Sequence, residues 1–237
     1  MSALSYSLKS GAREKNRLLE ICCASLECVM AADAGGGDRI ELCESLELGG
    51  ITPSGKLFQE ARRSTALPIF VLVRCRAGDF RFRPREVSLM VEQIEQMHDL
   101  GADGIVSGAL NEEGGIDEEV TSRFIQAAGH LPFTFHRAFD ALNDFHDGIN
   151  RLRDLGVDRI LSSAGLSRAS DGPDCLRELA EYAGQKPLLL ACGGIRSGNV
   201  GALARVSDIR EFHSAARVAG SGVDKEEVRA IRRAIMD

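Results

Sequence analysis

From residue 18 onward, short runs rich in aliphatic and β-branched residues alternate with longer stretches whose apolar positions recur every three or four residues. The short runs are Leu18–Cys23, Asp38–Cys43, Ile69–Arg74, Gly104–Leu110, Phe133–Phe139, Arg159–Ser163, Leu188–Cys192 and Glu211–Ala215. Each is bounded by turn-forming residues and reads as a strand. The stretches between them read as helices. Between Pro84 and Leu100, residues Val87, Met90, Val91, Ile94, Met97 and Leu100 share one face, and Val228, Ile231 and Ile235 repeat that spacing between Asp224 and Met236. Two helix starts are marked. Thr52-Pro53 offers an N-cap followed by proline at the first helical position, and Asp117 is followed by two glutamates.

Eight strands alternating with eight helices predict an α/β fold with a parallel sheet, and eight units predict closure into a single (βα)8 TIM-type barrel. An internal repeat supports closure. Asp38, Asp103, Asp158 and Asp208 open alternate strands, while Pro68, Pro132 and Pro187 precede the strands between them. The repeat spans two βα units, a regularity that a doubly wound sheet does not require. The glycine-rich dinucleotide turn of such a sheet is also missing after the first strand, which ends Cys22-Cys23-Ala24-Ser25. Residues 18–237 are therefore assigned to one barrel domain. Residues 1–17, which are polar, form a short flexible N-terminal extension.

In such a barrel both faces of every strand are buried, so polar residues within strands are informative. Glu20 and Cys22 share one face of strand one, and Glu41 and Cys43 share one face of strand two, leaving Ile21 and Leu42 to face the helices. Strand three ends in Arg74. Strand five carries Thr134, His136 and Asp140, with Phe133 and Phe135 facing outward, and strand eight carries Glu211 and His213. Unpaired charge is too costly to bury, so these groups are expected to face one another around the barrel axis. One reading makes them structural, with Glu20 or Glu41 paired to Arg74 and His136 as a core histidine. The other makes Glu20, Glu41, Arg74, His136, Asp140 and His213 an acid–base pocket at the C-terminal end of the barrel. In that reading Arg74 and the Gly193-Gly194 turn after strand seven hold a carboxylate or phosphate, and His136 or a glutamate moves protons.

The twin Glu-x-Cys endings offer different chemistry. Neighbouring strands lie about 4.8 Å apart, so Cys22 and Cys43 come close enough to share a soft ion. Two thiolates suit Cu(I), whereas Zn(II) wants four ligands. The alternative is that both are small core residues.

Composition narrows the partners. Lys and Arg number 29 against 35 Asp and Glu, for a formal charge of −6, with no Trp and two Tyr, which argues against nucleic acid. No apolar run is long enough to span a membrane, and the N-terminus lacks the apolar core of a secretory signal. Seven cysteines without a CxxC pair point to free thiols in a cytoplasmic protein.

Leu19-Glu-Ile-Cys-Cys, Asp38-Arg-Ile-Glu-Leu-Cys, Gly49-Gly-Ile-Thr-Pro-Ser, Gly78-Asp-Phe, Thr134-Phe-His-Arg-Ala-Phe-Asp140 and Glu211-Phe-His-Ser resemble the CutC family, named for copper homeostasis. The resemblance runs from about residue 18 to residue 215. It implies a cytoplasmic barrel, a homo-oligomer of two or more copies, that takes part in copper handling. It also implies Cu(I) ligation by Cys22 and Cys43. The chain departs from the family pattern at Arg74-Cys75-Arg76, where Arg-Pro-Arg is usual, and at Ser162-Ser163-Ala164-Gly165, where Thr-Ser-Gly is expected. Its segment after strand eight is also short.

Overall fold

The computed structural model describes residues 17–206, 209–218 and 222–236. Among these, eight parallel strands close into a barrel in chain order: β1 (Leu18–Cys23), β2 (Arg39–Leu42), β3 (Ile69–Leu72), β4 (Gly104–Ser107), β5 (Phe133–Phe135), β6 (Arg159–Ser162), β7 (Leu188–Ala191) and β8 (Glu211–Ser214). The β1–β8 pairing completes the ring, with Glu20 opposite His213. The helices are α1 (Leu26–Gly35), α2 (Gly55–Ser64), α3 (Pro84–Asp99), α4 (Glu118–Ala128), α5 (Phe145–Asp154), α6 (Pro173–Ala183), α7 (Ser197–Val206) and α8 (Lys225–Met236). None of the described helices is long and apolar enough to cross a membrane.

The two-unit repeat has a structural cause. Asp38, Asp103 and Asp158 each accept the first free strand N–H of the preceding odd strand, at Leu19, Ile69 and Phe133, all at 2.8 Å. Pro68 and Pro132, which have no N–H to give, offer their carbonyls to Ile40 and Ile105. The aspartates thus tie the N-terminal ends of strand pairs together. Asp208 falls outside the described residues, as does the N-terminal extension up to residue 16. Arg17 is buried and donates to the carbonyls of Ala204 and Ile235.

Several predicted boundaries move. β5 stops at Phe135 and not at Phe139, because His136 caps a 3-10 turn over Arg137–Ala141, its Nδ1 accepting the Ala138 N–H at 3.4 Å. β3 stops at Leu72, since the Arg74 N–H turns to the Thr52 hydroxyl at 3.0 Å. β4 ends at Ser107 rather than Leu110, whose N–H bonds the carbonyl of Phe80. Thr52 is therefore not the α2 cap. Ser54 is, accepting the Leu57 N–H at 3.3 Å. Asp117 caps α4 as expected, through the Val120 N–H.

Packing divides into two zones. Ile21, Ile40, Leu42, Phe133 and Phe135 face outward into a continuous shell shared with the apolar stripes of the helices, including Val87, Met90, Ile94 and Met97 of α3. Inside the barrel, Cys22, Cys43, Phe70, Leu72 and Val106 form a separate, smaller cluster. The outer shell supplies the hydrophobic stabilisation, and the inner zone is left free to carry polar groups.

Candidate functional site

The floor of the barrel interior is charged. Arg39, next to Glu20 in the β1–β2 register, donates from Nε to the Glu20 carboxylate at 2.5 Å and also pairs with Glu211. Two guanidiniums lie over the Phe70 ring, Arg39 at 4.7 Å and Arg159 at 4.5 Å from its centroid. Gly104 makes room for that ring, since a Cβ there would come within 2.5 Å of it. Arg159 is fixed by the Thr134 hydroxyl at 3.1 Å.

Above this floor, His213 Nδ1 lies 2.7 Å from the Glu20 carboxylate and its Nε2 lies 3.7 Å from Glu41. Burial alone would raise the pKa of Glu20, but Arg39 and His213 outweigh it and hold the group at about 2. Burial raises Glu41 above the usual carboxylate range, against the pull of His213. Burial also opposes charge on His213, yet Glu41 and Glu20 leave its pKa raised. Position in the barrel thus gives the two glutamates opposite characters.

The thiols sit at the same level. Cys22 pairs in register with Glu41, and its Sγ is 3.8 Å from Cys43 Sγ. That contact, burial and the neighbouring Glu41 hold the Cys22 thiol protonated, with its pKa well above the ordinary value. One donor atom each from Cys22, Glu41 and His213 lies within 4.8 Å of the others. Thiolate and imidazole are ligands for Cu(I) and for Zn(II). Twice a metal–thiolate bond, about 4.6 Å, exceeds the sulfur separation. An ion shared by the two sulfurs would therefore sit off the line joining them and expose a side for a third ligand.

The mouth of the barrel is a cavity of about 260 Å³ lined by Cys22, Glu41 and His213 on one wall and by Arg74, His136 and Phe80 on another. Arg74 Nη2 donates to the Gly78 carbonyl at 2.6 Å, and Nη1 faces the carbonyls of Leu48 and Gly50 at 3.4 and 3.3 Å. The Phe80 ring carries the Arg74 guanidinium at 4.8 Å and the His136 ring edge-on at 4.7 Å. Burial and then Arg74 push His136 down to about 3, so the ring is neutral. Gly193 and Gly194, both with positive φ, line the cavity together with Arg137 and Arg196.

Of the residues singled out from sequence, Glu41, Arg74, His136, His213, Cys22, Gly193 and Gly194 line this one cavity. Cys43 lies directly behind Cys22. Glu20 does not line it but supports His213 from below. Asp140 does not line it either. The turn after β5 carries its carboxylate to Ser162 Oγ at 2.6 Å and to the N–H groups of Ser163 and Gly165, so it shapes a loop. The structural pairing of Arg74 with Glu20 or Glu41 is replaced by Arg39, which is nearer in register. Sequence reasoning missed Arg39, although it alternates with Glu41 and Cys43 on the inward face. Phe80, Arg137 and Arg196 come from loops and carry no periodic signal.

The sequence profile of the CutC family matches residues 17–218. The chain belongs to the CutC family. A relative from Bacteroides fragilis (strain YCH46), named family protein CutC, is 41% identical over 204 residues, covering 86% of this chain and 81% of the relative. The human copper homeostasis protein cutC homolog is 40% identical over 200 residues, covering 84% and 73%. A solved CutC structure from Streptococcus agalactiae superposes with a TM-score of 0.78 at 28% identity, covering 83% of this chain and 97% of that one. Thiamine phosphate pyrophosphorylase from Pyrococcus furiosus shares the fold, at a TM-score of 0.59 and 17% identity, with 94% and 96% covered.

Proposed function

We propose that this CutC-family protein takes part in copper handling in the cytoplasm by binding Cu(I) between Cys22 and Cys43, with His213 or Glu41 as the further ligand. The observation that carries the reading is the thiol pair itself, buried inside the barrel with sulfurs 3.8 Å apart and an imidazole and a carboxylate at the same level. The human relative's name supports the same reading. Binding as a dithiolate releases two protons, one taken by Glu41 beside Cys22 and the other lost to solvent through the cavity. The seven free cysteines support a reducing compartment, and assembly as a homo-oligomer belongs to the same reading.

The test is an anaerobic Cu(I) titration against a competing chelator, with wild type beside Cys22→Ser/Cys43→Ser and Cys175→Ser. Loss of even a supporting residue costs a metal site roughly 10–100-fold in affinity, so the double variant is expected to lose at least the upper end of that range. Cys175 is exposed and its variant is expected to match wild type. Equal affinity in the double variant would overturn the reading.

A second reading, acid–base catalysis on a small anionic metabolite, is favoured by one observation. Glu41, with its raised pKa, and His213 stand 3.7 Å apart on a cavity wall at the catalytic end of a barrel.

A further inference from the structure

We infer that the part of the cavity lined by Arg74 and His136 is a binding site for a small oxyanion, a carboxylate or a phosphate monoester. The inference rests on the second reading only in placing a ligand in this cavity. It needs neither copper nor turnover.

Two unpartnered donors carry it. Arg74 is 5% exposed, and its Nε has no hydrogen-bond partner among the described residues. Its other nitrogens contact only carbonyl oxygens, which leaves a buried guanidinium without a counter-ion. His136 is 4% exposed, and its Nε2 is likewise without a partner. Nδ1 of that ring accepts the Ala138 N–H, so in the neutral ring the proton sits on Nε2 and makes it a donor. Both side chains rest on the same Phe80 ring and line the same cavity. A buried cation and a buried N–H, both unsatisfied, are costly unless an acceptor of opposite charge completes them.

Two further features agree in sign. Arg196 lines the same mouth without a carboxylate partner among the described residues and adds to the positive charge of Arg74, whereas the Arg137 guanidinium in that lining is paired with Asp140 at 2.9 Å. The Glu41 and Cys22 side is acidic or neutral, so an oxyanion is steered to one wall. The cavity, about 260 Å³, is also far larger than a single metal ion needs. An ion at Cys22 and Cys43 leaves most of it unfilled. A small organic anion fits both the volume and the polarity, with its oxygens on Arg74 and His136 and its remaining atoms toward Glu41 and His213.

The experiment is calorimetric titration of the full-length, metal-stripped protein with inorganic phosphate and, separately, with malonate, at constant ionic strength made up with chloride. At least one probe is expected to bind saturably and raise Tm, and which one does so separates phosphate from carboxylate ligands. Charge-assisted hydrogen bonds of this kind are worth roughly 10–100-fold in affinity, so Arg74→Met is expected to weaken binding by that factor. Arg229→Ala, on the outside of α8, is expected to leave it unchanged. Because Arg74 also ties three loop carbonyls, His136→Leu provides a second reading should Arg74→Met fail to fold. Absence of saturable binding of either probe up to roughly 10 mM, a very weak affinity, would overturn the inference. So would binding undiminished in the folded variants. Binding without any turnover would uphold it while counting against the catalytic reading.

Discussion

Arg39→Met is expected to cost about 3–5 kcal/mol of folding stability, the usual range when one partner of a buried ion pair is removed, and to lower Tm by roughly 6–20 °C in a chain of this length. The reason lies in what stays behind. Arg39 and Glu20 have side chains 5% and 1% exposed, and Arg39 also holds Glu211. Without the guanidinium, two carboxylates face each other across the barrel floor, and the cation on one face of Phe70 disappears. Glu20 would then have His213 as its remaining partner. The double variant Arg39→Met/Glu20→Gln, which removes charge from both sides, is expected to recover much of the loss. Surface ion pairs are a different matter. Arg151 pairs with Glu118 and Asp147 in solvent, and Arg151→Ala is expected to unfold with wild type. Urea unfolding of the four proteins checks this. An Arg39→Met curve that overlays wild type would show that the floor network is dispensable.

The second large effect is on acid stability. His136 is neutral in the folded protein, with its pKa pushed from 6.5 to about 3 by burial and by Arg74. Below pH 6.5 the unfolded chain takes up a proton at this position that the folded chain refuses. Stability therefore falls as the pH drops from 6.5 toward 3, by about 1.4 kcal/mol per unit and about 4–5 kcal/mol in all. Glu20 adds to the loss only later. Its folded pKa of about 2 lies below its ordinary 4.5, so its contribution is present above pH 4.5 and disappears between 4.5 and 2. His213 acts in the opposite sense, since its raised pKa makes its contribution complete below 6.5 and lost as the pH rises through the folded value. Glu41, whose raised pKa places its titration above 4.5, acts against His136 in the window from pH 6.5 to 4.5, and comparison with a His136 variant cancels it. Between those limits the gap between metal-free wild type and His136→Gln is expected to change by about 2.7 kcal/mol, with wild type falling more steeply. Parallel stability curves would show that His136 is protonated in the folded state.

The fold was legible because its signals are local and repeat. Strand starts were marked by aspartates and prolines that carry a structural duty at the entries of β1 to β6, and α3 and α8 show their buried faces through spacing alone. Strand ends were harder to read. At the mouth of a barrel, inward polar residues keep the alternation of a strand after the ladder has ended. His136 therefore looked like mid-strand, although it caps a turn, and Asp140 looked like part of the pocket, although it braces Ser162 and Ser163.

The candidate site was legible in part for the same reason. Glu41, Cys22 and His213 lie on strands and Cys43 directly follows β2, so alternation assigns each a face. Arg39 obeys that alternation too, but it stands at the first position of β2, where a basic residue also reads as a strand boundary. Phe80 and Arg196 reach the cavity from loops, and no spacing rule predicts where a loop side chain lands. The Arg76-Ala-Gly78-Asp79-Phe80 loop has no alternation either. It supplies both the Gly78 carbonyl that fixes Arg74 and the ring on which Arg74 and His136 rest.

The inside of the barrel thus presents two chemistries to one cavity: a soft-donor side on β1, β2 and β8, and a hydrogen-bond-donor side on the loops after β3, β5 and β7. Copper binding at the first side is the central claim, and X-ray absorption at the copper edge on the Cu(I)-loaded, full-length protein tests it most directly. Two sulfur neighbours at about 2.3 Å, the metal–thiolate distance, with one nitrogen or oxygen beside them, is the predicted result, and the sulfur signal should vanish in Cys22→Ser/Cys43→Ser. Copper surrounded by nitrogen and oxygen alone, or a spectrum unchanged in that variant, would contradict it.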